Sequence, residues 1–496
     1  MHTDFNTFIS QFEDRIHELF HVDTNINELS VKRGLPKSVW EKIMKLAPLS
    51  VAIPSRYGGR GAQVKECLSM LSAASYESLP LSLTFGINIA LFLEPLAKYG
   101  SPEVQQPVFK RFLEQEAMGG LMITEPDFGS DALNMQTQYT ENQHHYHING
   151  QKHWQGLTGK ADFWIIAARE KLREDRLSRN VSFFVVDNTQ PKQQIQVEQY
   201  FNNLGLYMIP YGRNNIDISV PKNQKLHPEQ SGIKMMLDIL HRSRMQFPGM
   251  GMGFIKRMLD EALQHCTHRK VAGKMLSELD SVQFQLSRIQ ASYTLSSGMC
   301  ARSTVISSIE EELSGKGLEA NSMKALVTDM MQESAHICLQ LSGASGYKLE
   351  HIAGRGIVDS RPFQIFEGSN EMLYTQIAEL VIKQMKKKKE KNLYSFLSQS
   401  DYCHLIVNRY KKHLNFEPSS SFVQRQLIVL GKVIARLICT QYVFNLVENG
   451  YRKDLYDNCI KHIEMDIKKL ISNLSIFNDA APILDYTEQS DWTHYV

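Results

Sequence analysis

The stretch YHINGQKHW, residues 146–154, decides the fold class, because its apolar residues recur with a period of two. It alternates around Asn149-Gly150, a pair that is typical of a two-residue hairpin turn. Three further runs follow along the chain: WIIAARE, VSFFVVDN and NIDISVP. They are short and are bounded by Asn, Gly or Pro, as strands usually are. These patterns predict an all-β domain in the middle of the chain.

Helical patterns lie on both sides of this domain. Phe5, Phe8, Phe12 and Ile16 recur at helical spacing near the N-terminus, and long periodic stretches return after the last strand-like run. Segregation of helices from strands indicates an α+β chain that is mostly helical. The predicted order is an N-terminal helical domain (1–118), a middle β domain (119–225), a C-terminal helical bundle (226–385) and an additional helical segment (393–496).

Three stretches look like ligand sites but have structural interpretations. GMGMG, residues 249–253, lacks the preceding strand of a dinucleotide-binding fingerprint, so its glycines indicate close helix packing. His144, His145 and His147 are predicted to face solvent, and we expect no metal. The basic run KQMKKKKEKN, 383–392, is either a solvated linker or helix end, or a patch for a membrane surface or an acidic partner.

The composition is that of an ordinary globular protein. The 496 residues are 43% hydrophobic and 22% charged, which excludes wholesale disorder and a collagen-like chain. Lys and Arg number 55 against 53 Asp and Glu, so nothing in the charge predicts binding of nucleic acid. The seven cysteines form no CxxC pair, which predicts free thiols in a reducing compartment.

No membrane segment is expected from the sequence. The N-terminal stretch carries acidic residues inside an amphipathic helical pattern, unlike a signal peptide. The most apolar stretch, LIVLGKVIARLICTQYVFNLV from Leu427, contains Lys432 and Arg436. We therefore expect a cytoplasmic protein without a transmembrane segment.

Four separated segments, in this order, resemble the acyl-CoA dehydrogenase flavoprotein family. They are IPSRYGGRGA (53–62), MITEPDFGSDA (122–132), INGQKHWQGLTGKADFWIIAAR (148–169), and the pair QLSGASGY and RPFQIFEGSNE. The last three are similar to the family patterns TEPxxGSD, NGxKxWITNGxxAD, and QxxGGxGY with YxIxEGTNE. The resemblance implies an N-terminal helical domain, a middle β-barrel or sandwich domain and a C-terminal four-helix bundle.

The reaction implied by the resemblance is FAD-dependent α,β-dehydrogenation of an acyl thioester, from acyl-CoA to trans-2-enoyl-CoA, in lipid metabolism. Glu367, in FEGS, matches the base that takes the α proton, while flavin N5 accepts the β hydride. Some members hold the base at the position of Ser243, and serine cannot do that work unaided. The resemblance implies that Ser130, Arg244 and Gly368 contact the substrate.

The resemblance also implies a cofactor site and partners. In the family, part of the FAD site comes from a neighbouring subunit, which implies a homodimer or homotetramer, and electrons leave through an electron-transferring flavoprotein. The residues that match cofactor-binding positions are Met122, Ile123, Thr124, Ser130, Trp154, Gly156, Thr158, Arg269, Gln340, Gly343, Ala344, Ser369 and Glu371.

Several positions depart from the family pattern. Gly156 stands where a threonine usually reaches the flavin, and Thr158 could substitute for it. Ala272 replaces a phenylalanine, Asp280 a glutamine and Ala344 a glycine. An acid near a pyrophosphate is unfavourable unless it is paired. These departures indicate a divergent member, with a weakened FAD site or an unusual acyl carrier.

Three alternatives therefore stay open beside the dehydrogenase. An acyl-carrier-protein dehydrogenase would change the carrier, and an acyl-CoA oxidase would change the electron acceptor. A non-catalytic scaffold would keep the fold and lose productive FAD binding. Retention of Glu367 favours the enzymes over the scaffold.

Overall fold

The computed structural model describes residues 3–173, 176–419, 422–475 and 481–496. The chain begins with a helical region whose first helix is amphipathic. Asp4 caps this helix by accepting a hydrogen bond from the Thr7 N–H, and Phe12 and Ile16 are buried. The helices are α1 (Phe5–Glu18), α2 (Ile26–Ser30), α3 (Lys37–Met44), α4 (Val64–Glu77), α5 (Leu79–Asn88), α6 (Glu94–Tyr99) and α7 (Pro102–Glu114).

The middle region is a sheet in the order β1-β4-β2-β3-β7-β6, with β5 paired to β4. β1 and β4 are parallel, and the β3–β7 and β4–β5 pairs are antiparallel. The strands are β1 (Gly119–Met122), β2 (Gln138–Glu141), β3 (His145–Gly156), β4 (Phe163–Lys171), β5 (Leu177–Asp187), β6 (Gln196–Tyr200) and β7 (Tyr211–Pro221).

The predicted hairpin turn at Asn149-Gly150 is wrong. Both residues lie inside β3, where they pair with Asp217 and Ile216 of β7. Long-range pairing with β7 overrides the local turn preference of the Asn-Gly pair. The chain reverses before β3 instead. There, Asn142 Oδ1 accepts hydrogen bonds from the backbone N–H groups of His144 and His145.

A helical bundle follows the sheet. α9 packs against α4, α10 and α11. A Cβ on Gly253 would lie 2.0 Å from the Ser72 carbonyl oxygen of α4, so the prediction that GMGMG serves close helix packing is confirmed. The elements are α8 (Gly232–Arg244), α9 (Phe247–His268), β8 (Lys270–Val271), β9 (Lys274–Met275), α10 (Asp280–Ile306), α11 (Gly317–Ser342), α12 (Ile352–Ser360) and α13 (Asn370–Lys388).

The last segment covers this bundle. α16 packs against α10 and α13, and α17 packs against α10 and α16. Asp466 of α17 accepts hydrogen bonds from Arg288 of α10 and Arg436 of α16, which ties the segment to the bundle. Its helices are α14 (Leu393–Leu397), α15 (Lys411–Leu414), α16 (Gln424–Glu448) and α17 (Lys453–Ser475).

Two helical stretches are long and apolar enough to cross a membrane: Leu79–Tyr99 and Gln424–Glu448. In the first, 94% of the apolar window is buried inside the protein, and in the second 67% is buried. Their apolar surface is therefore largely used in packing. The lysine-rich run contributes the last turn of α13, where cations interact favourably with the helix dipole. All seven cysteines are free, as predicted.

Candidate active site

Glu367 lies in a strained turn at the start of α13. Its φ is +51°, and Gly368 follows with φ +89°. The left-handed conformation costs a residue other than glycine about 1–2 kcal/mol. Ser369 then caps α13 by accepting a hydrogen bond from the Met372 N–H. Contacts around the turn must therefore hold Glu367 in place.

Two buried cations hold the carbonyl groups of this turn. Arg244 donates to the Glu367 carbonyl oxygen from Nε at 3.1 Å and Nη2 at 2.8 Å. Lys324 of α11 donates to the Gly368 carbonyl oxygen at 2.8 Å and to Asn370 Oδ1 at 2.9 Å. The turn is thus fixed from α8 on one side and from α11 on the other.

A second layer of hydrogen bonds fixes these contacts. Asn370 Nδ2 donates to Asp329 Oδ1 at 2.7 Å and to the Ala325 carbonyl oxygen at 3.0 Å. Tyr374 donates its hydroxyl proton to Asp329 Oδ2 at 2.8 Å. Arg244 Nη1 also donates to Asn321 Oδ1 at 2.8 Å. A satisfied buried network of this kind keeps its members in one arrangement.

The two oxygens of the Glu367 carboxyl group differ. Oε1 accepts a hydrogen bond from Ser243 Oγ at 2.9 Å. Oε2 is buried and has no hydrogen-bond partner in the described part of the chain. Burial raises the pKa of Glu367, while Arg244, the Ser243 hydrogen bond and Lys324 oppose this rise. Burial also lowers the pKa of Lys324 to about 7. The carboxyl group therefore has one positioned oxygen and one available oxygen.

Met122, Ile123 and Thr124 form a second group at the end of β1. Lys152 is fully buried and donates to the Ile123 carbonyl oxygen at 2.9 Å and to Glu125 Oε1 at 3.0 Å. Burial lowers the pKa of Lys152 to about 8, and Glu125 opposes this change. The Thr124 carbonyl oxygen accepts a hydrogen bond from the His153 N–H at 2.9 Å. These contacts join the segment to β3.

Trp154 projects from β3 next to this segment. Its side chain is 51% exposed, its φ is +63°, and its ring lies 4.5 Å from that of Phe201. Ser130 is exposed on the loop after β1. The hydroxyl group of Thr124 makes no hydrogen bond to another described residue. This surface thus presents an aromatic ring and free hydroxyl groups.

Gly156 and Thr158 both make close contacts within the protein. A Cβ on Gly156 would lie 2.9 Å from Ile87 Cδ1, the end of a flexible side chain of α5, so a larger residue here needs that side chain to shift. Thr158 is fully buried, donates to the Gln155 carbonyl oxygen at 2.7 Å and accepts from Asn214 at 3.1 Å. The Thr158 hydroxyl group is thus engaged within the β domain, and its proposed substitution for the missing hydroxyl stays a prediction.

The remaining predicted residues lie at helix ends on the surface. Arg269 follows α9 and is exposed, and its guanidinium has no hydrogen bond or ion pair with the rest of the described chain. Asp280 is the first residue of α10, where a carboxylate interacts favourably with the helix dipole. Exposed positions also include Gln340 in the last turn of α11, Gly343 and Ala344 just after α11, and Glu371 in the first turn of α13.

The structure thus brings together Glu367, Gly368, Ser369 and Arg244 in one group, and the β1 and β3 residues in another. No hydrogen bond within the described ranges joins the two groups. Sequence reasoning missed the buried Lys324. The one sequence signal for it is that a single lysine interrupts an apolar helical pattern. Sequence reasoning also missed the buried Lys152 and Asn370, which have no distinctive sequence signal.

The residues of these groups fit a flavin dinucleotide. Trp154 offers a ring face, Thr124 and Ser130 offer hydroxyl groups, and Arg269 offers an unpaired cation to a pyrophosphate. His153 Nδ1, beside Trp154, is buried without a hydrogen-bond partner among the described residues. Aromatic, polar and cationic groups are those that a flavin ring and its pyrophosphate need.

Comparisons with known proteins agree along most of the chain. The model of the acyl-CoA dehydrogenase N-terminal domain matches residues 11–116. The middle-domain model matches residues 120–217, and the C-terminal-domain model matches residues 230–382. The probable acyl-CoA dehydrogenase YngJ of Bacillus subtilis strain 168 is 24% identical over 354 residues, covering 70% of this chain and 90% of that protein.

Solved structures show the same fold. An acyl-CoA dehydrogenase from Bacillus anthracis, complexed with FAD, has a TM-score of 0.74 at 16% identity and covers 97% of this chain and 89% of its own. The prolyl acyl carrier protein oxidase AnaB has a TM-score of 0.68 at 16% identity and covers 77% of this chain and 99% of its own. The three matched domains and this fold show that the chain belongs to the acyl-CoA dehydrogenase family, whose members bind FAD.

Proposed function

We propose that this chain catalyses FAD-dependent α,β-dehydrogenation of an acyl-CoA, with Glu367 as the base. One observation carries the proposal: the Glu367 carboxyl group has a positioned oxygen and a buried oxygen without a partner in the described chain. A buried carboxylate with a raised pKa is a stronger base than one in water. The free Oε2 takes the α proton of the thioester.

Substrate activation uses the backbone of the same residue. The Glu367 N–H donates no hydrogen bond to other parts of the described chain. It is available to the thioester carbonyl oxygen, where negative charge develops as the α proton leaves. The two buried cations, Arg244 and Lys324, keep this N–H in position by holding the carbonyl groups that follow it. They also favour negative charge near the turn.

FAD supplies the hydride acceptor for the β carbon, because no protein side chain accepts a hydride. Trp154 and the segment ending at Thr124 would contact its ring, and Arg269 would bind its pyrophosphate. In a monomer, the Arg269 cation has no partner among the described residues. A homo-oligomer would let Arg269 reach the FAD of a neighbouring subunit. An electron-transferring flavoprotein is the proposed electron acceptor.

The test is an anaerobic titration of the FAD-loaded protein with acyl-CoA esters of graded chain length, following the absorbance of oxidised flavin. We expect one range of chain lengths to bleach the flavin. Glu367→Gln should retain FAD and lose reduction by about 10²–10⁴-fold, the usual contribution of a positioned base. Glu379→Gln, an exposed change on α13, is the matched control and should leave reduction unchanged.

Each other outcome contradicts part of the proposal. Near-normal reduction in Glu367→Gln would remove Glu367 as the base. If an acyl-carrier-protein thioester bleached the flavin and no acyl-CoA did, the acyl carrier would be a carrier protein rather than CoA. Rapid reoxidation by O₂ would indicate an oxidase. A colourless protein that cannot be reconstituted with FAD would contradict the enzyme and favour the non-catalytic scaffold.

A further inference from the structure

His17 of α1 and His21, in the π-helical turn Leu19–Asp23 that continues α1, both contact the carboxylate of Glu77 in α4. His17 Nδ1 lies 2.9 Å from Glu77 Oε1, and His21 Nε2 lies 2.7 Å from Glu77 Oε2. The two imidazole rings lie 4.4 Å apart between centroids. Within the described ranges, this is the one group of three or more His, Cys, Asp or Glu side chains whose ligand atoms all lie within 4.8 Å of one another.

The positions of the donor atoms suit a small divalent cation. Zinc binds histidine nitrogen and carboxylate oxygen at about 2.0–2.2 Å, so tetrahedral ligands lie about 3.3 Å apart. The nitrogen–oxygen distances of 2.9 and 2.7 Å need to lengthen by only about 0.5 Å to reach this separation. A spacing of four residues brings two histidines to the same face of a helical turn. Metal binding would therefore need small side-chain movements.

The donor set also identifies the class of metal. Imidazole favours zinc and the neighbouring transition metals, whereas magnesium and calcium prefer oxygen ligands. Two histidines and one carboxylate leave at least one coordination position for water. The His17 side chain is 63% exposed and that of His21 31%, so a cation can enter from solvent. Glu77 is only 5% exposed and supplies a fixed anchor.

The charges around Glu77 are compatible with a cation. Arg257 Nη1 lies 3.5 Å from Glu77 Oε2, and Arg257 Nη2 lies 3.7 Å from Glu261 Oε2. The Arg257 charge is thus shared with a second acid. Contact with Arg257 would orient the carboxylate as partners of metal ligands commonly do.

We propose that His17, His21 and Glu77 form a binding site for a divalent cation of the zinc class. In the metal-free protein, hydrogen bonds join the histidines to the carboxylate. α1 already packs against α4. A bound metal replaces both hydrogen bonds and joins α1 to the end of α4. The site is independent of Glu367 and of the FAD-binding residues. Its consequence is a metal-dependent attachment of the N-terminal helix.

The test uses the full-length protein after treatment with a chelator. Zn²⁺ is titrated in competition with a chromophoric chelator, and Mg²⁺ serves as the metal control. We expect one Zn²⁺ per chain with a dissociation constant below about 10 μM, equivalent to about 7 kcal/mol of binding free energy. His17→Ala and His21→Ala should each weaken binding at least tenfold. Both changes affect partly exposed side chains, and circular dichroism checks that the variants fold.

A matched control uses two histidines that lack a third ligand. His144 is exposed and His145 is partly exposed, and their rings lie 6.5 Å apart. Replacing both with alanine should leave the first Zn²⁺ equivalent intact. Undiminished Zn²⁺ binding in the His17→Ala, His21→Ala double variant would overturn the proposal, as would binding weaker than about 100 μM to the unmodified chain. Hydrogen exchange should show slower exchange over residues 5–23 when Zn²⁺ is bound.

Discussion

The turn at Glu367 and the surface around Trp154 are built in opposite ways. Buried hydrogen bonds from Arg244 and Lys324 hold the turn on both sides. Trp154 is half exposed and contacts mainly neighbouring aromatic rings of the β domain. The comparison indicates that this chain holds the Glu367 turn by itself, whereas the surface around Trp154 is open and is where we propose that FAD binds. Substitutions in the two regions should therefore have different effects.

Among variants that retain Glu367, the largest effect is expected for Lys324→Met. The change keeps most of the side-chain volume and removes the donor to the Gly368 carbonyl oxygen and Asn370 Oδ1. Leaving these buried acceptors unpaired should lower the free energy of unfolding by about 2–4 kcal/mol. Flavin reduction by acyl-CoA should fall by about 10²-fold, because the base moves from its productive position.

Thermal unfolding and anaerobic stopped-flow reduction of the folded, FAD-loaded variant measure these two effects. Lys383→Met, at an exposed position on α13, is the matched control. Normal reduction in a folded Lys324→Met variant would show that Glu367 is held without Lys324, and the contrast between the two regions would then be weaker than proposed.

A smaller and different effect is expected for Arg269→Ala. The guanidinium is exposed and contributes no ion pair within the described chain, so the stability of the FAD-free chain should not change. The affinity for FAD should fall about tenfold, corresponding to the loss of about 1.4 kcal/mol of binding free energy. Fluorescence titration with FAD measures the affinity.

Arg179→Ala, at another exposed arginine, is the control for a general loss of positive charge. Unchanged FAD affinity in Arg269→Ala would show that the cofactor surface is built from other residues. A large loss of stability in FAD-free Arg269→Ala would contradict the contrast between the preorganised Glu367 turn and the open surface around Trp154.

The smallest effect is expected for Ser243→Ala, which tests the tuning of the base. The Ser243 hydrogen bond lowers the pKa of Glu367, so its loss raises that pKa further. A base works only when ionised, and activity therefore rises as pH increases through its pKa. The acid limb of the pH profile should move to higher pH, and the rate near neutral pH should fall about three- to tenfold.

Ser243→Thr retains the hydroxyl group and should keep the acid limb near its original position. The dependence of kcat/KM on pH distinguishes these variants from a general loss of activity. A shift of the Ser243→Ala limb to lower pH would contradict the assignment of Glu367 as the base, since the sign of the change depends on a carboxylate that acts ionised.

Sequence reasoning identified the order of helices and strands, because long periodic stretches report their own secondary structure. The four ordered motifs also led to the assignments of Glu367 and the segment ending at Thr124, which stay predictions. The error at Asn149-Gly150 arose because a local turn preference was overridden by pairing with a strand more than sixty residues away. Such pairing is not visible in a local pattern.

The supporting residues of the site were not predictable for a related reason. Lys324 and Asn370 are 46 positions apart, and their contact depends on the packing of α11 against α13. Thr158 was assigned by its nearness in sequence to Gly156, yet it faces into the β domain. A sequence motif identifies residues that are close together in the chain. The partners that hold those residues in place come from distant segments, which the motif does not show.

The contact between α13 and α16 has a consequence for the order of synthesis. A Cβ on Gly431 of α16 would lie 2.0 Å from the carbonyl oxygen of Tyr374, so the two helices meet backbone to backbone. A ribosome completes α13, with the Glu367 turn at its start, well before it has made α16. Until then the α13 surface that receives Gly431 has no cover, and a nascent chain in this state exposes apolar residues to chaperones and to other chains. The Glu367 turn and α13 are thus translated before the segment that packs against α13.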